Sequence, residues 1–136
     1  MEDRRLPATA LISVIDDDDS LRLALMGLMR SLGHRVEGFA SAEAFLDAGA
    51  PTRSQCIVTD IQMPGLSGID LKNRLDDEGS LVPVIMITAR PEPLLHARAM
   101  ESGAFCLLKK PFETEEFITC LDKALVTGGL APAPVG

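Results

Sequence analysis

The sequence predicts an α/β fold, a five-stranded parallel sheet covered by helices on both faces. Two observations carry the prediction. Short apolar runs alternate five times with segments of helical period, through short connections. Three of those runs, at residues 10–15, 56–60 and 84–87, are almost uniformly apolar, as strands buried on both faces are. These three are placed at the centre of the sheet. At 136 residues and 46% hydrophobic, the chain has single-domain length and can bury about 68% of its unfolded surface.

Residues 1–9 are polar, contain Pro7 and read as a loose leader. Ala10 to Ile15 forms the first strand and runs into Asp16-Asp17-Asp18-Asp19-Ser20. The first helix spans about Ser20 to Leu32, with Leu21, Leu25, Leu28, Met29 and Leu32 on one face and Gly33 as its stop. Arg35 to Phe39 makes the second strand. Ser41 is an N-cap for a short helix from Ala42 to Ala48, ended by Gly49. Cys56 to Asp60 is the third strand, after which Met63-Pro64-Gly65 turns the chain. The third helix covers about Gly68 to Asp76, with Ile69, Leu71 and Leu75 apolar. Pro83 opens the fourth strand, which ends in Thr88-Ala89, since proline is tolerated at a strand's first residue.

The fourth helix starts between Pro91 and Pro93 and ends at Ser102-Gly103. Its stripe of Leu94, Leu95, Ala97, Ala99 and Met100 is weak, so it is expected to pack least firmly. Ala104 to Leu108 is the fifth strand, leading to Lys109-Lys110-Pro111. The fifth helix spans about Glu113 to Val126, with Phe117, Leu121, Ala124 and Leu125 facing inward. Residues 128–136 have the composition of a Gly/Ala/Pro-rich tail or linker.

The net charge of −7 disfavours general affinity for nucleic acid, whose usual footprint is a basic stripe. No apolar run is long enough to span a bilayer, and no signal-peptide core follows Met1, so a cytoplasmic protein is expected. Cys56, Cys106 and Cys120 are odd in number and lack metal spacing; buried reduced thiols are expected rather than a disulfide or zinc site.

The chemistry gathers at strand ends of one polarity. Asp16 and Asp17 follow the first strand, Asp60 ends the third, Thr88 the fourth, and Lys110 follows the fifth. In an open parallel sheet these ends share one edge, where ligands bind. Three crowded carboxylates repel one another, and an oxygen-binding divalent cation, Mg²⁺ or Mn²⁺, relieves that repulsion. A lysine, a hydroxyl and a cation suit a phosphoryl group beside Asp60, whose carboxylate can itself be the nucleophile. Blander roles exist for each group. Asp18 and Asp19 can be a solvated helix start, Thr88 an ordinary cap, and Lys110 a surface lysine, as Lys109 is expected to be on the opposite side of the strand.

Val-Ile-Asp16-Asp17, Thr-Asp60-Ile-Gln-Met-Pro64, Ser67-Gly68, Ile87-Thr88-Ala89 and Lys110-Pro111-Phe112 together resemble the motifs of response-regulator receiver domains of two-component signalling, most of all FixJ-type receivers. The resemblance covers about residues 10–127. It implies a flavodoxin-like (βα)₅ doubly wound sheet with strand order 2-1-3-4-5. It also implies that Asp60 accepts a phosphoryl group from a histidine kinase or phosphotransfer protein, a signalling role rather than an enzyme's. Mg²⁺ would be held by Asp17, Asp60 and the backbone carbonyl of Gln62, with Asp16 helping through water. Thr88 and Lys110 would bind phosphoryl oxygens, and the Lys110-Pro111 bond would be cis. The fourth helix, fifth strand and fifth helix would form the switching face, available to a partner, an output domain or a homodimer.

The chain departs from that family at Leu107, where an aromatic is usual and where, with Thr88, the switch is expected. The resemblance also implies that the positions two beyond Asp60 and two beyond Thr88 tune phosphate loss; here they are Gln62 and Arg90. Two other readings stay open. Asp16 to Ser20 resembles the first motif, Asp-x-Asp-x-Thr, of haloacid-dehalogenase-type phosphatases, with Asp16 as nucleophile and Asp18 as acid/base, although the chain is short for that fold and no paired acids follow the fourth strand. A degenerate receiver that only binds a partner is the other.

Overall fold

A computed structural model describes residues 10–90 and 92–127. The expected leader and tail, and Pro91, lie outside the described residues. The strands are β1 (Leu11–Ile15), β2 (Arg35–Phe39), β3 (Cys56–Asp60), β4 (Val84–Thr88) and β5 (Cys106–Lys109). The helices are α1 (Asp19–Ser31), α2 (Ala42–Asp47), α3 (Gly68–Asp77), α4 (Pro93–Glu101) and α5 (Thr114–Thr127). All neighbouring strands are parallel, in the order β2-β1-β3-β4-β5. Every residue of β1, β3 and β4 is buried, because these three strands have neighbours on both edges and helices on both faces.

Strand alternation divides the core in two. Ile12, Val14, Val58, Ile85, Ile87 and Leu108 point toward α1 and α5, where they meet Leu25, Met29, Phe117, Leu121, Ala124 and Leu125. Ile15, Ile57, Val84 and Met86 point the other way, toward Phe45 of α2, Ile69, Leu71 and Leu75 of α3, and Ala99 of α4. Leu107 lies on this second side.

The helix starts follow from side-chain chemistry at the orphan amides of a first turn. Asp18 caps α1 by accepting from Leu21 N–H, so α1 begins at Asp19, one residue before the expected Ser20. Ser41 caps α2 as expected. Ser67 and Asp70 form a reciprocal capping box at α3. After α2 the chain makes a single 3₁₀ turn, Ala50–Thr52, which no periodicity in the sequence marks. It follows Gly49 at φ +69° and takes Pro51 in its first turn.

The cysteine expectation needs correction. Cys56 is buried and free, but Cys106 and Cys120 are paired as a disulfide between β5 and α5. The helix after β5 folds back over its own strand, so residues 14 apart in sequence face one another. Cysteine counting along the chain carries no trace of that juxtaposition. β5 also starts at Cys106 rather than Ala104 and runs on to Lys109.

Packing is uneven in the way the stripes predicted. α5 buries Phe117, Leu121, Ala124 and Leu125, whereas α4 buries Ala99 alone and leaves Leu94 74% exposed. Phe117→Ala is therefore expected to cost about 3–5 kcal/mol in urea unfolding, through lost burial and a cavity. Leu94→Ala should stay within about 0.5 kcal/mol of the parent. Equal costs would contradict this division of the core.

Candidate functional site

β1, β3 and β4 lie side by side and β5 completes that edge, so the four strand ends that carry the sequence-predicted residues meet at one edge of the sheet. Asp60 closes β3 in register with Ile87, and Ile61 N–H donates to the Ile87 carbonyl at 2.9 Å, which fixes the start of the following loop. Asp16 follows β1, its own N–H donating to Phe39 O at 3.0 Å. Lys110 follows β5, its N–H donating to Thr88 O at 2.8 Å, and the Lys110-Pro111 peptide is cis.

Asp16 and Asp60 are both buried, while Asp17 is exposed. One carboxylate oxygen from each of the three lies within 4.8 Å of the others. The half-buried Lys110 places its Nζ 3.8 Å from Asp16 Oδ2 and 3.8 Å from Asp60 Oδ1. Asp60 Oδ1 also accepts from Ile61 N–H at 3.0 Å, and Asp16 Oδ1 from Asp18 N–H at 2.9 Å. Asp16 Oδ2 is buried and has no hydrogen-bond partner.

Burial and mutual repulsion leave both buried acids reluctant to ionise. The Asp60 carboxyl is pushed up to about 6, first by burial and then by the charge of Asp16, against the opposing pull of Lys110 and Ile61 N–H. Asp16 is raised too, again chiefly by burial. An orphaned, buried carboxylate oxygen within a set of oxygen donors fits a hard divalent cation.

Thr88 ends β4 and is buried. Its Oγ1 accepts from Arg90 N–H at 3.0 Å and lies 3.1 Å from both Gln62 Oε1 and the Arg90 carbonyl. Beside it a cavity of about 550 Å³ opens, lined by Arg90, Pro93, His96, Leu107 and Lys109 among others. Leu107 is half-buried at its wall. Lys109 is exposed, on the opposite side of the strand from Lys110.

Asp18 and Asp19 stand outside the three-carboxylate cluster, at the helix start that the sequence allowed for them. Asp18 uses its side chain to cap α1, and Asp19 pairs with Arg22 at 2.6 Å. Two supporting residues escaped sequence reasoning. Arg22 Nη1 donates to the Asp16 carbonyl at 2.7 Å, tying α1 to the acidic loop. Glu43 of α2 accepts from Leu66 N–H at 2.9 Å, holding the loop that follows Asp60. For Arg22 a faint signal existed, a cation three residues after Asp19 in the first helix turn.

Residues 12–122 match the family described as the response regulator receiver domain. The chain belongs to that family. It is 41% identical over 120 residues to the transcriptional regulatory protein FixJ of Azorhizobium caulinodans, covering 88% of this chain and 57% of that one. Among solved structures it is similar to the response regulator StyR, with TM-score 0.81 and 37% identity over 88% of this chain and 60% of that one. It is also similar to FixJ-N, with TM-score 0.79 and 33% identity over 93% and 96% of the two chains. The chain thus spans about half the length of the curated relatives it matches. The receiver has a flavodoxin-like fold, and none of its described helices is long and apolar enough to cross a membrane.

The raised Asp60 carboxyl has a signed consequence for stability. Between about pH 4 and 6 the folded receiver holds a proton on Asp60 that the unfolded chain has lost. Its penalty on stability therefore grows as pH rises through that window and is complete above it. In EDTA at about pH 8, Asp60→Asn should be more stable than the parent by roughly 1–3 kcal/mol. The advantage should shrink toward zero near pH 4, as read by urea unfolding at both pH values. A pH-independent difference would contradict the assignment of strain to the Asp60 charge.

Proposed function

We propose that this receiver accepts a phosphoryl group on Asp60 from a histidine kinase or phosphotransfer protein. The observation that carries the reading is the meeting of Asp60, Asp16, Asp17, Thr88 and Lys110 at one sheet edge. An Asp60 carboxylate oxygen attacks phosphorus, the new O–P bond forms as the phosphohistidine N–P bond breaks, and the imidazole departs. The attack requires Asp60 ionised, which the Lys110 ammonium favours. Lys110 then pairs with one phosphoryl oxygen, and the Thr88 hydroxyl donates to another. Little covalent chemistry is asked of the protein beyond this positioning.

Asp16, Asp17, Asp60 and the Gln62 backbone carbonyl would hold Mg²⁺ or Mn²⁺. Bound there, the cation supplies positive charge against the carboxylates and the incoming phosphoryl oxygens. Asp17, the exposed member of the three, gives the cluster its open side. The receiver is a phosphoacceptor in the cytoplasm, not an enzyme acting on a separate substrate. It controls an output segment, a partner or a second copy through the face of α4, β5 and α5. Its net charge of −7 disfavours general affinity for DNA. The phosphatase alternative would need Asp18 as its acid/base, and one oxygen of that carboxylate caps α1.

Incubation with acetyl phosphate and Mg²⁺, followed by borohydride trapping and peptide mapping, should place the label on Asp60. Asp60→Asn should abolish stoichiometric labelling, and Asp17→Ala should lose Mg²⁺ binding and labelling together. Labelling at Asp16, or normal labelling of Asp17→Ala without metal, would overturn the reading.

Leu107 shapes the output. Its side chain lines the cavity of about 550 Å³ beside Thr88, and a ring there would occupy more of that space. With only Ala99 of α4 fully buried and Leu95 partly so, phosphorylation is expected to move α4 more than the Leu107 side chain. Leu107→Phe should strengthen phosphorylation-dependent self-association, measured by sedimentation equilibrium of the beryllofluoride complex. Unchanged association, together with an immobile α4 in that complex, would contradict this.

A further inference from the structure

The Thr88 hydroxyl is buried and its hydrogen bonding is already complete. It accepts from Arg90 N–H, and its single proton has two acceptors within 3.1 Å, Gln62 Oε1 and the Arg90 carbonyl. These partners belong to the loops after β3 and β4, and neither is one of the clustered carboxylates. The loop after β3 is anchored where Gln62 leaves it, since Ile61 N–H donates to Ile87 O at 2.9 Å and Gly68 N–H to Ile61 O at 3.0 Å. The Gln62 side chain therefore reaches Thr88 from a fixed base.

A phosphoryl oxygen on Asp60 and Gln62 Oε1 compete for the same proton. We infer that Gln62 is a latch: its side-chain carboxamide oxygen holds the Thr88 hydroxyl in the unphosphorylated orientation and so sets the threshold of the switch. The inference rests on the phosphoacceptor reading of Asp60. Gln62 acts through Thr88 and is a positioning residue, separate from any part its backbone carbonyl plays with a cation.

The structure also provides for the latch when it opens. Gln62 lines a second cavity, of about 440 Å³, together with Met63, Pro64, Ile69, and Leu95 and Arg98 of α4. A carboxamide released from Thr88 has that space to enter, against the helix that is packed most lightly. Loss of one hydrogen bond at β4 is thereby delivered to α4 through a side chain from β3's loop. Arg98, whose guanidinium can donate to a carboxamide oxygen, also lines that cavity.

The test is a double-mutant cycle read by titration with beryllofluoride and Mg²⁺, following the Arg90 amide by NMR. Gln62→Met keeps the length of the side chain and removes the acceptor. It should tighten beryllofluoride binding by roughly three- to tenfold, the value of one hydrogen bond. In a Thr88→Val background the same substitution should have no effect, and in Thr88→Ser, which keeps the hydroxyl, the gain should return. An equal gain with and without the hydroxyl, or no gain at all, overturns the latch. A second measurement needs no ligand: three-bond couplings should report one Thr88 χ1 rotamer in the parent and an average over rotamers in Gln62→Met. A single unchanged rotamer also overturns the latch. Failure of the parent to bind beryllofluoride would instead count against Asp60 as phosphoacceptor, a separate outcome.

Discussion

The rest of this structure depends on one electrostatic constraint, two buried carboxylates held side by side with a single half-buried ammonium 3.8 Å from each. Burying even one unpaired charge is costly, and a pair of like charges more so. The fold tolerates the arrangement because it is over-determined elsewhere. Asp60 ends β3 and Asp16 follows β1, two of the three strands with neighbours on both edges, and the backbone around each is tied by hydrogen bonds to Phe39, Ile87 and Arg22. A site with more carboxylates than cations and a free carboxylate oxygen is poised for a positive or electrophilic group. The geometry of the sheet and the chemistry proposed for it are two aspects of the same crowding.

Rigidity is distributed to match. The sheet centre and α5 are densely packed, and Cys106–Cys120 joins α5 to the edge strand. α4 sits between two cavities with one buried side chain, so its position is the least costly to change. The hydroxyl that ends β4 faces both regions. Its three partners come from the loops that border α4, which is why a local change in hydrogen bonding there can alter a helix while leaving the sheet intact.

What was legible in the sequence was whatever depends on periodicity or on strand polarity. The uniform apolarity of β1, β3 and β4 located the sheet centre, and Phe117, Leu121, Ala124 and Leu125 were recognisable as an inner face. Asp60, Thr88 and Lys110 stood out because parallel strands point their ends the same way, and the sparse stripe of α4 announced its light packing. Contacts that depend on how one element leans against another were not legible. Gln62 and Thr88 lie 26 residues apart, Glu43 and Leu66 23, and Cys106 and Cys120 14. No local pattern marks such pairs, since the side-chain directions that join them are set only when the layers close. The same holds for Asp18, whose capping bond and whose motif-like spacing are indistinguishable until the helix start is seen.

Gly68 shows how differently two helix glycines are constrained. At Gly27 an added methyl would meet nothing within 4 Å, so that position is open to many residues. At Gly68 the same methyl would come within 2.5 Å of the Asp60 carbonyl oxygen and 3.2 Å of Ile61 Cα. Both neighbours are backbone and belong to the strand end that bears the central carboxylate, so neither can swing aside as a side chain would. The first turn of α3 is thus a mechanical stop against β3. Variation at residue 68 would be registered as a shift of Asp60 itself, and the freedom of the chain to drift in sequence narrows at a residue that has no side chain and takes no part in the chemistry.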